Sequence, residues 1–224
     1  MFIDKSMVQD VITVDPEMSI LAAREIMVQH AIRHLPVVVE GNRLVGILTD
    51  RDIRTAMPSA VLSTAEMSAA EQRLEDVKVR QIMTAKPVTI SPSQTLEDAL
   101  LLMERHKVGA FPVVDENGRL KGIISVRDLM RAFINVLGLG TPGVLIGIVV
   151  EEKLGQMKKI VDAITELNIS FGSILVVRVW EEGKRAVFPY LLTSNIARVK
   201  KHLREKGFTL LDPMEWYLDQ APKK

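Results

Sequence analysis

The chain of 224 residues contains no cysteine, which excludes disulfide bridges, thiolate nucleophiles and cysteine-bound zinc sites. Aromatic residues make up only 4% of the chain, which argues against a surface built to stack the bases of a nucleic acid. Basic and acidic residues almost balance, leaving a formal net charge of +1. No overall field therefore draws the chain to nucleic acid or to a membrane, and a charged ligand would be held by a local group of residues.

Long apolar runs are also missing. No segment approaches the roughly 18 consecutive apolar residues of a membrane span. Asp4 and Lys5 interrupt the start of the chain, where a signal peptide would carry its apolar region. Together with the missing cysteine, which fits a reducing compartment, these features predict a cytoplasmic protein without a membrane partner.

Three patterns that resemble functional motifs are interpreted as structural. The GLGTPG segment of residues 138–143 has the spacing of a dinucleotide fingerprint, but its flanking strand and helix are predicted in the reverse order. His30 and His34 have the spacing of a helical metal pair, but Pro36 is expected to end the helix between them. The basic residues 198–207 are interpreted as a solvated helix face. Since no catalytic set is present either, the sequence predicts no enzyme, no metal, no required cofactor and no nucleic-acid partner.

The chain repeats itself at an offset of 76 residues without a gap. The stretch GILTDRD at residues 46–52 recurs as GIISVRD at residues 122–128, and LPVV at 35–38 recurs as FPVV at 111–114. Two copies are too few for a solenoid, so they are expected to close on each other. The predicted boundaries are 1–60 for the first copy, 61–82 for a linker with one helix, 83–136 for the second copy, 137–143 for a flexible hinge, 144–212 for a third domain and 213–224 for a tail.

Each copy is predicted to contain the same elements. Ser19, or Thr95 in the second copy, caps a helix with apolar residues at helical spacing. Pro36 ends this helix early, because the residue before a proline avoids helical angles. A second helix begins at Thr49 and runs to about residue 57. Between the helices lie a hairpin of residues 37–39 and 44–48 and its turn at Gly41 and Asn42.

The third domain has a different pattern. Strands are predicted at residues 144–150, 173–180, 185–193 and 208–211, and helices at 156–168 and from a Ser194 cap to Gly207. This βαββαβ order is the ferredoxin-like arrangement, so the whole chain is assigned to the α/β (α+β) class. Pro189 lies within a predicted strand, which favours an edge strand or a bulge there.

The repeated GILTDRD stretch has two physical interpretations. In the first, Thr49 caps a helix and Asp52 returns a hydrogen bond to the capping residue, as Ser125 and Asp128 would do in the second copy. In the second, the helix N-terminus attracts a phosphate while the aspartate accepts hydrogen bonds from two sugar hydroxyls. Because a cap repeats as readily as a binding site, the repeat alone does not decide between them.

The basic pair before the first LPVV segment favours the binding interpretation. Arg33 and His34 supply positive charge and hydrogen-bond donors that a helix cap does not require. Placed beside an anion-ready helix terminus, they favour a site for a phosphorylated nucleotide.

These motifs resemble a tandem cystathionine-β-synthase (CBS) domain pair, or Bateman module. The resemblance covers about residues 1–135 and rests on two G-h-h-[ST]-x-x-D motifs and two h-P-V-V segments, where h is apolar. It implies two copies packed about a pseudo-twofold axis, with two clefts for adenosine-containing ligands such as AMP, ADP or ATP. It also implies that the motif aspartate holds the ribose, that residues before h-P-V-V reach the phosphate, and that the segment leading into the opposite copy completes each cleft.

The resemblance assigns residues to both clefts by position. Phosphorylated adenosines are expected in the first cleft, while the second lacks cations and is expected to bind weakly or to accept an uncharged adenosine group. The first cleft combines Arg33, His34, Pro36, Thr49, Asp52, Thr84 and Lys86. The second combines Val8, Gly109, Ala110, Pro112, Ser125 and Asp128.

Residues 144–212 resemble an ACT domain, a regulatory module that often binds amino acids and pairs across subunits. Of the ACT pattern Asp-x-Pro-Gly only Gly155 is kept, with Glu152 at the aspartate position and Leu154 at the proline position. A CBS pair followed by an ACT-like domain is similar to the acetoin-utilisation protein B family. This implies a regulatory adenine-nucleotide sensor in acetoin or carbon metabolism that forms a homodimer through its CBS or ACT-like domains and acts on a protein target. An amino-acid-sensing ACT regulator and a structural subunit with vestigial clefts remain alternatives.

Overall fold

The computed structural model describes residues 1–57 and 74–211. The chain divides into two compact units, Met1–Met130 and Arg131–Lys224. Much of the predicted linker of residues 61–82 and the whole predicted tail of residues 213–224 lie outside the described residues.

The first copy contains two helices around a hairpin. Ser19 caps its first helix, since its Oγ accepts a hydrogen bond from the Ala22 N–H at 3.2 Å. This helix ends at Gln29 and His34 lies on the following strand, so His30 and His34 do not share a helix face. The hairpin turns where Gly41 and Asn42 both have positive φ, as the sequence predicted. The elements are α1 (Ile20–Gln29), β1 (His34–Val39), β2 (Arg43–Thr49) and α2 (Asp50–Ala56).

The second copy repeats this plan. Thr95 caps its first helix by accepting the Asp98 N–H at 3.1 Å. A short helix and a short strand lead into it, the helix lying within the linker as predicted. The elements are α3 (Val79–Ile82), β3 (Thr84–Ala85), α4 (Leu96–His106), β4 (Ala110–Val114), β5 (Leu120–Ser125) and α5 (Val126–Val136).

Each copy is completed by the segment that precedes the other copy. Val79, which leads into the second copy, is fully buried in the core of the first, and its N–H donates to the Met18 carbonyl at 2.9 Å. Conversely, the Ile3 N–H at the start of the chain donates to the Gln94 carbonyl of the second copy at 2.9 Å. Because the lead-in of each copy is buried and hydrogen-bonded to the other copy, the two copies belong to a single compact unit.

The hairpins of the two copies meet at equivalent residues. Arg43 forms a β-bridge with Arg119, the residue equivalent to Arg43 in the second copy. Beside this bridge the Leu44 N–H donates to the Gly118 carbonyl at 3.1 Å. Contact between equivalent residues places a pseudo-twofold axis between the copies.

The second unit is an antiparallel sheet with two helices. Its strands are hydrogen-bonded in the order β10-β7-β9-β8, with the short β6 also beside β9, and its elements follow the predicted βαββαβ order. Ile148, Ile160 and Leu203 are fully buried between the sheet and the helices. The elements are β6 (Val144–Leu145), β7 (Gly147–Glu151), α6 (Gln156–Thr165), β8 (Phe171–Glu181), β9 (Lys184–Leu191), α7 (Ile196–Glu205) and β10 (Thr209–Leu211).

Two details of this unit differ from the sequence prediction. Pro189 lies in β9, which has neighbours on both sides, so the predicted edge position is wrong. The predicted irregularity lies next to it, because the pairing of β8 with β9 shifts register opposite Tyr190 and Leu191. The missing proline N–H costs one ladder bond, but the Ile146 N–H still donates to the Pro189 carbonyl at 3.1 Å. The cap of α7 is Asn195 instead of Ser194, because the Asn195 Oδ1 accepts the Arg198 N–H at 3.1 Å.

The segment predicted as a hinge is hydrogen-bonded to the sheet of its own unit. The Ser173 hydroxyl donates to the Leu137 carbonyl at 2.8 Å, and the Tyr190 hydroxyl donates to the Thr141 carbonyl at 2.7 Å. These bonds connect residues 137–141 to β8 and β9.

Candidate functional site

The first repeated motif forms a complete capping box at the start of α2. The Thr49 N–H and hydroxyl donate to Oδ2 of Asp52 at 2.8 and 2.6 Å, and the Asp52 N–H donates to the Thr49 Oγ1 at 3.2 Å. The predicted capping role of Thr49 and Asp52 is therefore confirmed. The capping box uses only one oxygen of the half-buried Asp52 carboxylate, because Oδ1 accepts no hydrogen bond from the described residues. That oxygen is available to accept hydrogen bonds from a ligand.

The same box occurs at two other helix starts. At α5, the Ser125 hydroxyl donates to Oδ2 of Asp128 at 2.6 Å. At α4, the Thr95 hydroxyl donates to Oδ2 of Asp98 at 2.8 Å, although this pair lies outside the repeated motif. The box at α4 shows that capping geometry alone does not mark a binding cleft.

The basic pair lies beside the Asp52 motif. The Asp50 N–H donates to the Arg33 carbonyl at 3.0 Å, which fixes the residue before β1 against the first residue of α2. In the register of the hairpin, His34 lies opposite Thr49. The structure thus brings two basic side chains, a helix N-terminus and a carboxylate to one corner of the first copy.

The lead-in to the second copy runs along the same strand. Thr84 on β3 lies opposite Ile47 on β2, and the Lys86 N–H donates to the Val45 carbonyl at 3.3 Å. Thr84 and Lys86 are both exposed, so each offers a polar group at this edge. Pro36 is buried in β1 and contributes only to the wall behind the site.

The Asp128 corner has the same backbone arrangement with different chemistry. Val8 takes the place of Thr84, since its N–H donates to the Ile123 carbonyl at 2.9 Å. The Val126 N–H donates to the Gly109 carbonyl at 3.0 Å, as Asp50 does to Arg33 in the first copy. Ala110 and Pro112 are buried in β4. The hydroxyl of Thr84 and the basic groups of Arg33 and His34 thus have no counterpart here, because Val8, Gly109 and Ala110 stand at the equivalent positions.

His34 is electrostatically unusual within the first corner. Burial lowers the pKa of its imidazole below the ordinary value of 6.5, and the charge of Arg33 lowers this pKa further. The carboxylates of Asp52 and Asp50 act in the opposite direction but do not reverse the shift. An anion bound nearby would favour the protonated ring, because an opposite charge stabilises the imidazolium.

This shift predicts how the stability of the protein without ligand depends on pH. Because the folded-state pKa of His34 is lowered, the unfolded chain takes up a proton at His34 more readily than the folded chain does. The free energy of unfolding should therefore fall as pH falls through 6.5 towards the lowered pKa. Urea unfolding of wild type and His34→Gln between pH 5 and 8 measures this contribution. An identical pH slope in the two proteins would contradict it.

Several residues of the site were not identified from the sequence. Asp50 was not predicted to act on His34. A Cβ on Gly46 would lie 2.4 Å from the Met83 Sδ, and a Cβ on Gly122 would lie 2.5 Å from the Met7 Sδ. The two methionines are equivalents at the 76-residue offset, and they explain why both motifs begin with glycine. The glycines were the available signal, but their partners lie in the lead-in segments.

The described part of the chain has neither a metal-binding cluster nor a membrane-spanning helix. Residues 1–57 and 74–211 hold no group of three or more histidine, aspartate or glutamate side chains that could bind a metal ion. Over the same residues, no helix combines the length and the apolar character needed to cross a bilayer.

Comparison with known proteins identifies the repeat. The model of the CBS domain family matches residues 3–59 and 79–135, which together make up just over half of the chain. An inosine-5'-monophosphate dehydrogenase of Korarchaeum cryptofilum is 38% identical over 122 residues, covering 54% of this chain. This chain spans only 22% of that dehydrogenase.

Solved structures match the same region. The crystal structure of the CBS-pair protein CBSX2 of Arabidopsis thaliana in complex with AMP is 30% identical with a TM-score of 0.51, covering 60% of this chain and 97% of that one. A crystal structure of an acetoin utilisation protein (AcuB) from Vibrio cholerae is 24% identical with a TM-score of 0.52, covering 62% of this chain and 95% of that one. At this identity the AcuB match shows a shared fold.

Proposed function

Because the chain belongs to the CBS domain family, we propose that it is a non-enzymatic regulatory protein whose CBS pair binds an adenine nucleotide such as AMP, ADP or ATP. The Asp52 corner is the phosphorylated-nucleotide site. The observation that carries this proposal is the half-buried Asp52 carboxylate, which has one oxygen without a hydrogen bond from the described residues, beside Arg33 and His34. The AMP complex of the related CBSX2 supports the ligand class.

Each group at the corner has a role in this proposal. Oδ1 of Asp52 accepts hydrogen bonds from the ribose hydroxyls, since a carboxylate can accept two neighbouring donors. Arg33 and His34 hold the phosphate, while the Thr84 hydroxyl and the Lys86 ammonium approach from β3. The Asp128 corner has Gly109 and Ala110 at the positions of Arg33 and His34, so it binds phosphorylated ligands more weakly.

A thermal-shift panel of AMP, ADP, ATP, S-adenosylmethionine, NADH and amino acids tests the proposal. A ligand at 100 times its dissociation constant adds about 2.7 kcal/mol to the free energy of unfolding, which raises the melting temperature by several degrees. No shift with any compound of the panel would contradict the proposal and favour a structural subunit with vestigial clefts. A shift with amino acids alone would instead indicate an amino-acid sensor.

We propose that the second unit is a ferredoxin-like, ACT-type domain used for dimerisation and signal transmission. Gly155, at the start of α6, has a φ of 85°, which glycine adopts without strain. Glu152, at the aspartate position of the ACT pattern, already forms an ion pair with the Arg185 guanidinium. This pairing favours a structural role for the loop over capture of an amino acid. We further propose that the protein acts on a protein target in acetoin or carbon metabolism.

The edge strand β8 supports a homodimer. Among the described strands, β8 pairs only with β9 and leaves its other edge open. Leu175, Val176, Val177 and Val179 on this strand are 41%, 41%, 39% and 86% exposed. Since successive side chains point to opposite faces, both faces of this edge are apolar. A long apolar edge is a template for strand pairing, and a second copy can pair with it about a twofold axis.

Charge on this edge should therefore separate the dimer. Replacing Val176 and Val177 together by lysine places cations on both faces of β8, which opposes edge pairing. Light scattering should then report a single chain of 25.0 kDa instead of a dimer. Leu154→Lys is the matched control, because Leu154 is fully exposed outside the strand. A dimer that persists in the double variant would exclude β8 as the interface.

A further inference from the structure

The two corners of the CBS pair meet at His34 and Gly109. Gly109 is the counterpart of Arg33 at the 76-residue offset, so it stands where the first corner has a cation. A Cβ built on Gly109 would lie 3.4 Å from Nε2 and 3.6 Å from Cε1 of His34. The imidazole from the first copy thus occupies the space into which a side chain at position 109 would extend.

The surroundings of this contact include both motif helices. On one side, the imidazole is close enough to feel the charges of Asp50 and Asp52 on α2. On the other side, the Gly109 carbonyl accepts the N–H of Val126, the first residue of α5, which carries Asp128. His34 therefore lies between the ribose-binding position of the first corner and the helix start of the second.

The imidazole itself lacks a hydrogen bond. His34 is half-buried, yet neither ring nitrogen has a hydrogen-bond partner among the described residues. Leaving a partly buried polar group without a partner is unfavourable, so such groups call for an explanation. An anionic ligand atom at this position would accept a hydrogen bond from the ring.

We propose that His34 is an anion-binding residue shared by both corners. Gly109 is the specificity-determining position, because its missing side chain leaves room for the His34 imidazole between the corners. The inference rests on the proposed nucleotide function and deepens it. Two phosphates around one imidazole would repel each other at short range. The chain therefore binds one phosphorylated adenosine at a time, and a phosphorylated ligand at one corner excludes a second at the other.

A substitution in the second copy tests this by its effect on the first corner. In Gly109→Val, the branched side chain displaces the His34 ring, and calorimetry should show AMP affinity reduced about tenfold, the loss expected for one charge-assisted hydrogen bond. Gly109→Ala is the matched control, because its Cβ makes an ordinary contact at 3.4 Å and should leave AMP affinity close to wild type. Adenosine, which has no phosphate, should bind wild type and Gly109→Val equally.

The outcomes separate this inference from the proposed function. One AMP per wild-type chain, with weaker AMP binding in Gly109→Val, supports the packing of His34 against Gly109, and a further loss of residual AMP binding when His34→Ala is added to Asp52→Ala supports sharing. Two AMP molecules bound with equal affinity, or unchanged AMP affinity in a folded Gly109→Val, would overturn it while nucleotide binding stands. No AMP binding to wild type would overturn the proposed function itself. If Gly109→Val does not fold, His34→Ala in the Asp52→Ala background decides: weaker residual AMP binding supports sharing, and unchanged binding refutes it.

Discussion

Asp52→Ala is expected to weaken AMP binding about ten- to hundredfold, as measured by calorimetry. The variant removes the carboxylate oxygen that no described residue engages, and with it the hydrogen bonds from the ribose hydroxyls. A hydrogen bond to a charged group contributes about 1.5–3 kcal/mol, and each 1.4 kcal/mol is tenfold in affinity. The same carboxylate also caps α2, so the variant loses stability as well as affinity.

Asp98→Ala separates these two effects. Asp98 forms the same capping box at the start of α4, with hydrogen bonds of 2.8 Å from the Thr95 N–H and hydroxyl, but it lies outside the repeated motif. Both variants should lose a similar amount of stability, because each removes the acid of a capping box, whereas only Asp52→Ala should lose AMP affinity. Asp128→Ala should have a smaller effect on AMP than Asp52→Ala. Equal AMP affinities of Asp52→Ala and Asp128→Ala would contradict the assignment of the phosphate site.

Gly122→Val is expected to destabilise the fold by about 3 kcal/mol, because the valine side chain would push against the Met7 side chain and the Val8 backbone. A Cβ at Gly122 would lie 2.5 Å from the Met7 Sδ and 2.9 Å from the Val8 carbonyl oxygen. The backbone of Val8 cannot withdraw without breaking its pairing with Ile123. Valine favours strands, so the loss measured by urea unfolding would be steric.

Gly46→Val is the matched comparison in the first copy. There the obstruction is the side chain of Met83 alone, which can change rotamer, so the loss of stability should be smaller. Met83→Ala should partly restore the stability of Gly46→Val. Met7→Ala should not restore Gly122→Val, because the Val8 carbonyl remains in place. Equal losses and equal rescue in the two copies would show that the backbone contact is unimportant.

The fold of the first unit was largely predictable because its signals are local. Ser19 and Thr95 mark helix starts by side-chain hydrogen bonds within one turn, and Gly41 with Asn42 marks a turn by its backbone angles. In the second unit, the choice between Ser194 and Asn195 as the cap was not predictable, since both side chains accept hydrogen bonds from helix N-termini. Pro189 was misplaced because the loss of one N–H is tolerated where the other ladder bonds persist.

The site was predictable only in part. The composition of the Asp52 corner followed from the motif, because Thr49 and Asp52 lie three residues apart on one helix start. The contact between His34 and Gly109 joins residues 75 positions apart across the pseudo-twofold axis, and no local pattern reports it. Likewise, the sequence showed glycine in both motifs but gave no sign that Met83 and Met7 pack against them.

A crystal structure of the chain grown with AMP would show whether the Asp52 corner is the phosphorylated-nucleotide site. We expect one AMP per chain, with its ribose hydroxyls within hydrogen-bond distance of Asp52 and its phosphate beside Arg33 and His34. AMP bound only at the Asp128 corner, or no AMP in either corner at saturating concentration, would contradict it.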